Sequence, residues 1–287
     1  MKRLILLVFV GGSFIAAGIN AQVLYNNDFP TDQIASATRP QSGNQFEIEA
    51  ADDFLLPTGG HITGATFTGL APQGFDVSNI GNVVVEIYRV FPNDSNVNRT
   101  SGPPTFSTPN VPTRVNSPSD VAFDSRESGT DLTFTPSVVN PTFTVNNSVQ
   151  PGGIHLATGG DGSFTGEEIH FVVDFTKAFN LLPGHYFFVP QVELTGTDGS
   201  FLWLSATRPL VPPSSVFAPD LQSWTRDGTI EPDWMRIGTD IVGGSPPAPT
   251  FNASFSISGT VPDSGSTLFL LSSAAAIVFL LRRRART

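Results

Sequence analysis

Proline and glycine interrupt this chain so often that long helices are disfavoured over most of its length. The 287 residues include 24 prolines and 27 glycines, and both residue types end or weaken helices. Between the interruptions, apolar and polar residues alternate with a period of two, which is the pattern of a strand with one buried face. The sequence therefore predicts a body of many short strands joined by turns.

Eight segments show this alternation most clearly, and each is bounded by turn-forming residues. They are residues 46–56, 61–70, 82–91, 132–139, 164–175, 185–194, 200–206 and 251–261. Many short strands separated by turn signals predict an all-β fold, an antiparallel β-sandwich or jelly-roll-like body. The chain has 24 phenylalanines and no cysteine, so we expect aromatic packing rather than disulfides to stabilise the core.

We expect residues 22–260 to form one secreted β-sandwich domain. Residues 93–118 are polar and rich in proline and show no periodicity. This segment is predicted to be a long loop or insertion between strands.

The amino terminus has the layout of a secretory signal peptide. Lys2 and Arg3 are followed by a short apolar run and then by small residues up to Ala21. This order predicts export through the secretion machinery and cleavage by signal peptidase between Ala21 and Gln22.

The carboxyl terminus has three parts in a fixed order. The turn-forming residues Val261, Pro262, Asp263, Ser264 and Gly265 come first. Residues 267–281 carry no charge and, as a helix, extend about 22 Å, which is short for a bilayer. The arginines that follow favour the cytoplasmic side and place the body outside the cytoplasm; they are Arg282, Arg283, Arg284 and Arg286.

This three-part ending resembles the PEP-CTERM-like sorting signals, in their VPDSG-CTERM variant. The resemblance covers residues 261–287 only. It implies that an exosortase-type enzyme cuts the chain near Val261 to Gly265, after transient membrane anchoring by the short hydrophobic helix. It further implies that the body reaches the cell surface or an extracellular matrix. An ordinary single-pass membrane anchor is the alternative reading of the same residues.

The charge of the predicted mature body argues against nucleic acid as a partner. Without Lys2, Arg3, the four terminal arginines and Asp263, the 25 acidic and 15 basic residues become 24 and 9, a net charge of −15. Such a surface repels a phosphate backbone.

We expect no catalysis, because no GxSxG, HExxH or Walker A motif is present. No cofactor is predicted. The residues that could bind calcium are Asp161 in the glycine-rich loop and, after it, Glu167 and Glu168. A turn with solvated carboxylates is the simpler interpretation of those residues.

Two tryptophans support a carbohydrate-binding alternative. Trp224 and Trp234 lie in polar, proline-containing stretches, where an exposed indole can stack on a sugar ring. The competing interpretation is that each anchors a loop onto the core. The leading expectation is a secreted protein with a structural or adhesive role, in contact with extracellular polysaccharide. A carbohydrate-binding module is the alternative, and a glycan-active hydrolase with two facing carboxylates comes third.

Overall fold

The body is built almost entirely of strands. The computed structural model describes residues 21–91, 116–207, 221–244 and 248–261. Within these ranges the strands form two sheets, nearly all of whose pairs are antiparallel, and the all-β sandwich expectation is confirmed. No helix in the same ranges is long and apolar enough to span a bilayer.

The first sheet has nine strands, and β4 lies at its centre. One edge of β4 pairs with β9, and the other edge pairs with β15 and β11. The pair β2–β8 is parallel. The members are β1 (Gln22–Asn26), β2 (Pro30–Ala37), β4 (Gly60–Pro72), β7 (Leu132–Val145), β8 (Asn147–Val149), β9 (Phe164–Leu181), β11 (Leu202–Ala206), β14 (Asn252–Ala253) and β15 (Phe255–Thr260).

The second sheet has six strands in the order β13-β12-β3-β10-β5-β6. These are β3 (Ile48–Leu56), β5 (Ile80–Arg89), β6 (Asp124–Glu127), β10 (Gly184–Leu194), β12 (Trp224–Asp227) and β13 (Met235–Arg236). A 3₁₀ helix, Val77–Asn79, precedes β5, and a π-helix, Ile237–Val242, follows β13.

The main core lies between the two sheets and is rich in stacked phenyl rings. Phe67 and Phe171 are opposite each other on β4 and β9, and their ring centroids are 4.7 Å apart. Phe188 of the second sheet stacks on Phe255 of the first at 4.9 Å. The expected aromatic packing therefore joins strands within a sheet and also joins the two sheets.

A second apolar cluster lies on the outer face of the six-stranded sheet. Alternation along each strand sends neighbouring residues to opposite faces, so Ala50 faces the main core and Ala51 faces outward. We call the outward apolar group the outer cluster; its buried members are Ala51, Tyr88, Phe187, Val189, Leu221, Trp224 and Trp234. The cluster joins residues of β3, β5, β10 and β12 with two residues that flank β12, so this sheet buries apolar side chains on both of its faces.

All eight predicted strand segments contain strands, whereas several short strands were not predicted. The missed ones are β1, β2, β6, β8, β12 and β13. The predicted loop 93–118 lies outside the described residues up to residue 115. Its last residues already return to the sheet, because Pro118 forms a bridge with Val90 and Phe91 N–H donates to the Ser117 carbonyl.

Candidate functional site

The last strand of the body leads directly into the predicted sorting motif. β15 pairs with β4 along its length, with Phe255 opposite Phe67 and Thr260 opposite His61. Its apolar residues Phe255 and Ile257 belong to the main core. Val261 follows Thr260 at once and is partly exposed, so the described body ends at the first residue of the motif.

The predicted amino end of the mature chain lies beside the same strand. β1 pairs with β15 in antiparallel register, with Gln22 opposite Gly259 and Val23 opposite Ser258. Ala21 is exposed. The two predicted processing positions therefore lie at the same end of one strand pair.

Residues 260–285 match the family model for the VPDSG-CTERM motif. The resemblance of the C-terminal segment is thereby confirmed, and the segment is a sorting signal of the kind that directs export and processing by an exosortase-type enzyme. It further indicates a surface or extracellular location. No curated protein and no solved structure matches the chain.

Most residues of the sorting signal lie outside the described ranges. This applies to Pro262, Asp263, Ser264 and Gly265, and also to Arg282, Arg283, Arg284 and Arg286. The predicted signal peptide lies outside them as well, except for Ala21.

The two tryptophans do not form an exposed sugar platform, so the structure favours the interpretation in which each ring is anchored onto the core. Trp224 lies on β12 and is 1% exposed, and Trp234, just before β13, is 2% exposed. Their indole N–H groups donate to the carbonyls of Leu221 and Ser119, at 3.3 and 3.1 Å. Both rings are packed in the outer cluster, as the competing interpretation held, and their apolar partners there account for their burial.

The weak calcium candidate is not assembled. Asp161 accepts a hydrogen bond from the Gln150 N–H at 2.7 Å, and Glu167 accepts one from Gly74 N–H at 3.2 Å. Glu167 and Glu168 are consecutive on β9 and therefore point to opposite faces. The three carboxylates are thus held by different parts of the first sheet.

A different group of carboxylates does come together, on the outward face of the second sheet. Glu47, Glu49 and Glu86 each offer a carboxylate oxygen, and these three oxygens lie within 4.8 Å of one another. Glu47 precedes β3, Glu49 lies on β3, and Glu86 lies on β5. We call this group the triple-glutamate cluster.

Tyr88 and Arg226 bind the cluster from two sides. The Tyr88 hydroxyl lies 2.6 Å from Glu49 Oε1 and 3.1 Å from Glu86 Oε2. Arg226 on β12 pairs with the other oxygen of Glu49 through Nε, and its Nη2 donates to the Tyr88 oxygen at 2.9 Å. Arg226 is 4% exposed and Glu49 is 3% exposed, so this ion pair is removed from water.

The pKa values show that negative charge is crowded here. Burial raises the pKa of Glu86 to about 8, and Glu49 and Glu47 add to the effect. Burial and then Glu49 also raise the pKa of Glu47. For Arg226, burial favours loss of the proton, but Glu49 and Tyr88 outweigh it and the pKa is raised. The Tyr88 hydroxyl donates to Glu86 Oε2 and partly opposes the rise in the Glu86 pKa.

Sequence reasoning did not single out this cluster, although a signal was present. Glu47 and Glu49 are two residues apart at the start of an apolar strand, so they share a face. Glu86 and Tyr88 have the same spacing on β5. Polar residues at every second position of two strands indicate a polar group on one face, but the sequence alone does not show that the strands meet around β10.

Proposed function

We propose that this protein is exported, is held at the membrane by its C-terminal segment, and is cut within Val261 to Gly265 by an exosortase-type enzyme. The released body, residues 22–260, then has a structural or adhesive role at the cell surface or in extracellular polysaccharide and performs no catalysis. The observation that carries the proposal is the motif match at residues 260–285, which begins at the last residue of β15.

The short distance between the body and the apolar segment supports cleavage within the motif. The five residues 262–266 separate Val261 from the uncharged stretch that starts at Thr267. Fully extended, they reach at most about 18 Å. These residues, which include Pro262, are therefore the part of the chain that a membrane-embedded enzyme can bind without unfolding the sheet that holds β15.

The hydrogen bonding of the triple-glutamate cluster supports a role without catalysis. A retaining glycosidase needs a carboxylate nucleophile and a separate acid across a substrate cleft. Both oxygens of Glu49 instead accept bonds from Arg226 and Tyr88, and Glu49 is 3% exposed. The carboxylates join β3, β5 and β12 to one another, which is a structural task.

The test is the intact mass of the protein recovered from the cell envelope and from the medium. We expect a mature chain that begins at Gln22 and ends within 261–265, with any added anchor or glycan visible as an extra mass. Mature molecules that end at Thr287 and remain in the cytosol would overturn the proposal.

A substitution in the motif separates sorting from folding. We expect a Pro262→Ala, Asp263→Ala variant to keep its C-terminal segment and to accumulate in the membrane fraction. The matched control is Asp198→Ala, because Asp198 is an exposed turn residue far along the chain from the motif. Equal processing of the two variants would argue against recognition of residues 261–265.

A further inference from the structure

We propose that the triple-glutamate cluster, together with the side-chain carbonyl of Gln191, is a binding site for a hard divalent cation, with Ca²⁺ as the best fit. The site is distinct from the glycine-rich loop with Asp161 and does not depend on the proposed sorting. Its failure would leave the proposed processing untouched.

The spacing of the oxygens suits calcium. Calcium binds oxygen ligands at about 2.3–2.6 Å, so two of its ligands are at most about 5 Å apart. The three carboxylate oxygens of Glu47, Glu49 and Glu86 lie within 4.8 Å of one another. One ion can therefore contact one oxygen of each glutamate, because a Glu49 oxygen that accepts a bond from Arg226 or Tyr88 retains a second lone pair.

A second and independent observation is the side chain of Gln191. This residue lies on β10 and is 0% exposed, yet its Oε1 has no hydrogen-bond partner. Its Nε2 donates to Glu47 Oε1 at 2.7 Å, so the amide group lies against the cluster, and a half-turn about the last side-chain bond would direct Oε1 to the ion. An unpaired buried carbonyl oxygen costs free energy, and calcium accepts amide carbonyls as ligands beside carboxylates.

The register of the second sheet confirms that the four side chains share one face. Val189 on β10 is opposite Glu86 on β5. Gln191 follows Val189 by two residues, so its side chain leaves the sheet on the same side as Glu86. Tyr88 is two residues beyond Glu86, and its hydroxyl reaches Glu49. All of these groups therefore lie on the same face of the sheet as the outer cluster.

The local charge favours a cation. Three glutamate side chains lie together with one guanidinium, that of Arg226, and Arg226 is already paired with Glu49. Glu231, in the turn after β12, adds a further negative charge that acts on both Glu47 and Arg226. A divalent ion would neutralise the charge of Glu47 and Glu231 that Arg226 leaves uncompensated, and it would release any proton held by Glu86.

Ligand type and access favour calcium over other metals. Every ligand atom is an oxygen, which suits hard cations rather than zinc or copper. Mg²⁺ requires near-ideal octahedral geometry and retains several waters, whereas Ca²⁺ tolerates an irregular set of carboxylate and carbonyl oxygens. Glu47 and Glu86 are only partly buried, so an ion can enter from that side.

Terbium luminescence is the direct test, because Tb³⁺ replaces Ca²⁺ at oxygen sites and is excited by nearby aromatic rings. Tyr88 touches two of the ligands, and its ring centroid is 5.3 Å from that of Trp234. In the full-length chain, purified in detergent and freed of metal with EDTA, we expect saturable Tb³⁺ emission that Ca²⁺ displaces. Absence of saturable emission would overturn the proposal.

Four variants localise the signal. Glu86→Gln mimics the protonated carboxyl and is expected to fold, and Gln191→Leu removes the amide oxygen. We expect each to weaken Tb³⁺ and Ca²⁺ binding by at least about tenfold, because affinity depends on ligand number and charge. Asp198→Asn removes one exposed charge and Asp161→Asn removes the glycine-loop candidate, and both are expected to bind as the parent does.

The remaining outcomes also decide the question. If Asp198→Asn weakens Tb³⁺ and Ca²⁺ binding as much as Glu86→Gln does, the ion binds the acidic surface in general. If only Asp161→Asn weakens binding, the site is the glycine-rich loop. Either result overturns the proposal. Circular dichroism of each variant shows whether its strands are formed. If Gln191→Leu does not fold, Ca²⁺ titration of Glu86→Gln and Asp198→Asn by calorimetry decides alone.

Discussion

Gln22 and Gly259 lie opposite each other in the β1–β15 pair. Gln22 is the first residue after the predicted signal-peptide cleavage position, and Gly259 lies two positions before Val261. The strand that leads to the sorting motif is therefore held between β1 on one side and β4 on the other. This pairing fixes the start of the scissile segment to the folded body. The following predictions concern this strand and the outer face of the second sheet.

Gly259→Ala is expected to destabilise the end of β15. A Cβ at this position would lie 2.2 Å from the His61 carbonyl oxygen and 2.9 Å from Ile62 Cα, so the backbone must shift where the register with β4 already changes. Such overpacking costs about 1–3 kcal/mol. Urea denaturation measures the loss. Gly228→Ala is the control, since its nearest neighbour is 3.9 Å away, and an equal loss there would contradict the explanation.

Arg226→Leu is expected to lower the free energy of unfolding by about 3–5 kcal/mol, because it leaves Glu49 buried without its counter-charge. Arg226 also donates to the carbonyls of Asp120 and Pro232, so the substitution also removes the hydrogen bonds that hold these two segments to β12. The matched control is Arg236→Leu, which breaks an ion pair with Asp240 in which Arg236 is partly exposed. The interpretation fails if chemical denaturation gives equal losses for the two variants.

Glu86 is expected to make the body less stable as the pH rises. Its pKa is raised from an ordinary 4.5 to about 8, so between these values the folded state holds a proton that the unfolded chain has lost. The contribution of Glu86 to the free energy of unfolding therefore falls as the pH increases through this window. Urea denaturation in EDTA at about pH 5 and about pH 8 measures it. Glu86→Gln should flatten the dependence, and an unchanged slope would assign it to other groups.

Trp234→Ala is expected to destabilise the protein without affecting any glycan binding by the folded molecules. The indole packs edge-on against Tyr88. The Arg226 guanidinium lies over the indole, with its Cζ 4.3 Å from the Trp234 ring centroid. Removal of a buried ring of this size costs about 3–5 kcal/mol. Thermal unfolding gives the loss, and a glycan array at a temperature where the variant is folded gives the second readout. Glycan binding that the parent shows and the folded variant lacks would restore the sugar-platform hypothesis.

The strands with strong alternation were predictable because their pattern reports burial on one side of the chain. Trp203 illustrates this, since it faces the main core while Leu202 and Leu204 face the opposite side, as their positions in the sequence require. Strands such as β12, with only four residues, gave no comparable signal. Alternation also says nothing about whether an outward face meets water or other side chains, so the sequence left both the buried and the exposed reading of Trp224 open until its position in the outer cluster decided it.

The sequence by itself determined the sorting signal and the all-β class, because both are written in contiguous residues: a turn, an apolar run and an arginine cluster in one case, and local periodicity in the other. Only the tertiary structure decided that Glu47, Glu49, Glu86 and Gln191 meet on one face, and that Gln22 lies beside Gly259. The first group brings together β3, β5 and β10, and the second contact joins β1 and β15, all far apart along the chain. Their register depends on the pairing and packing of the two sheets, and no local pattern specifies that packing.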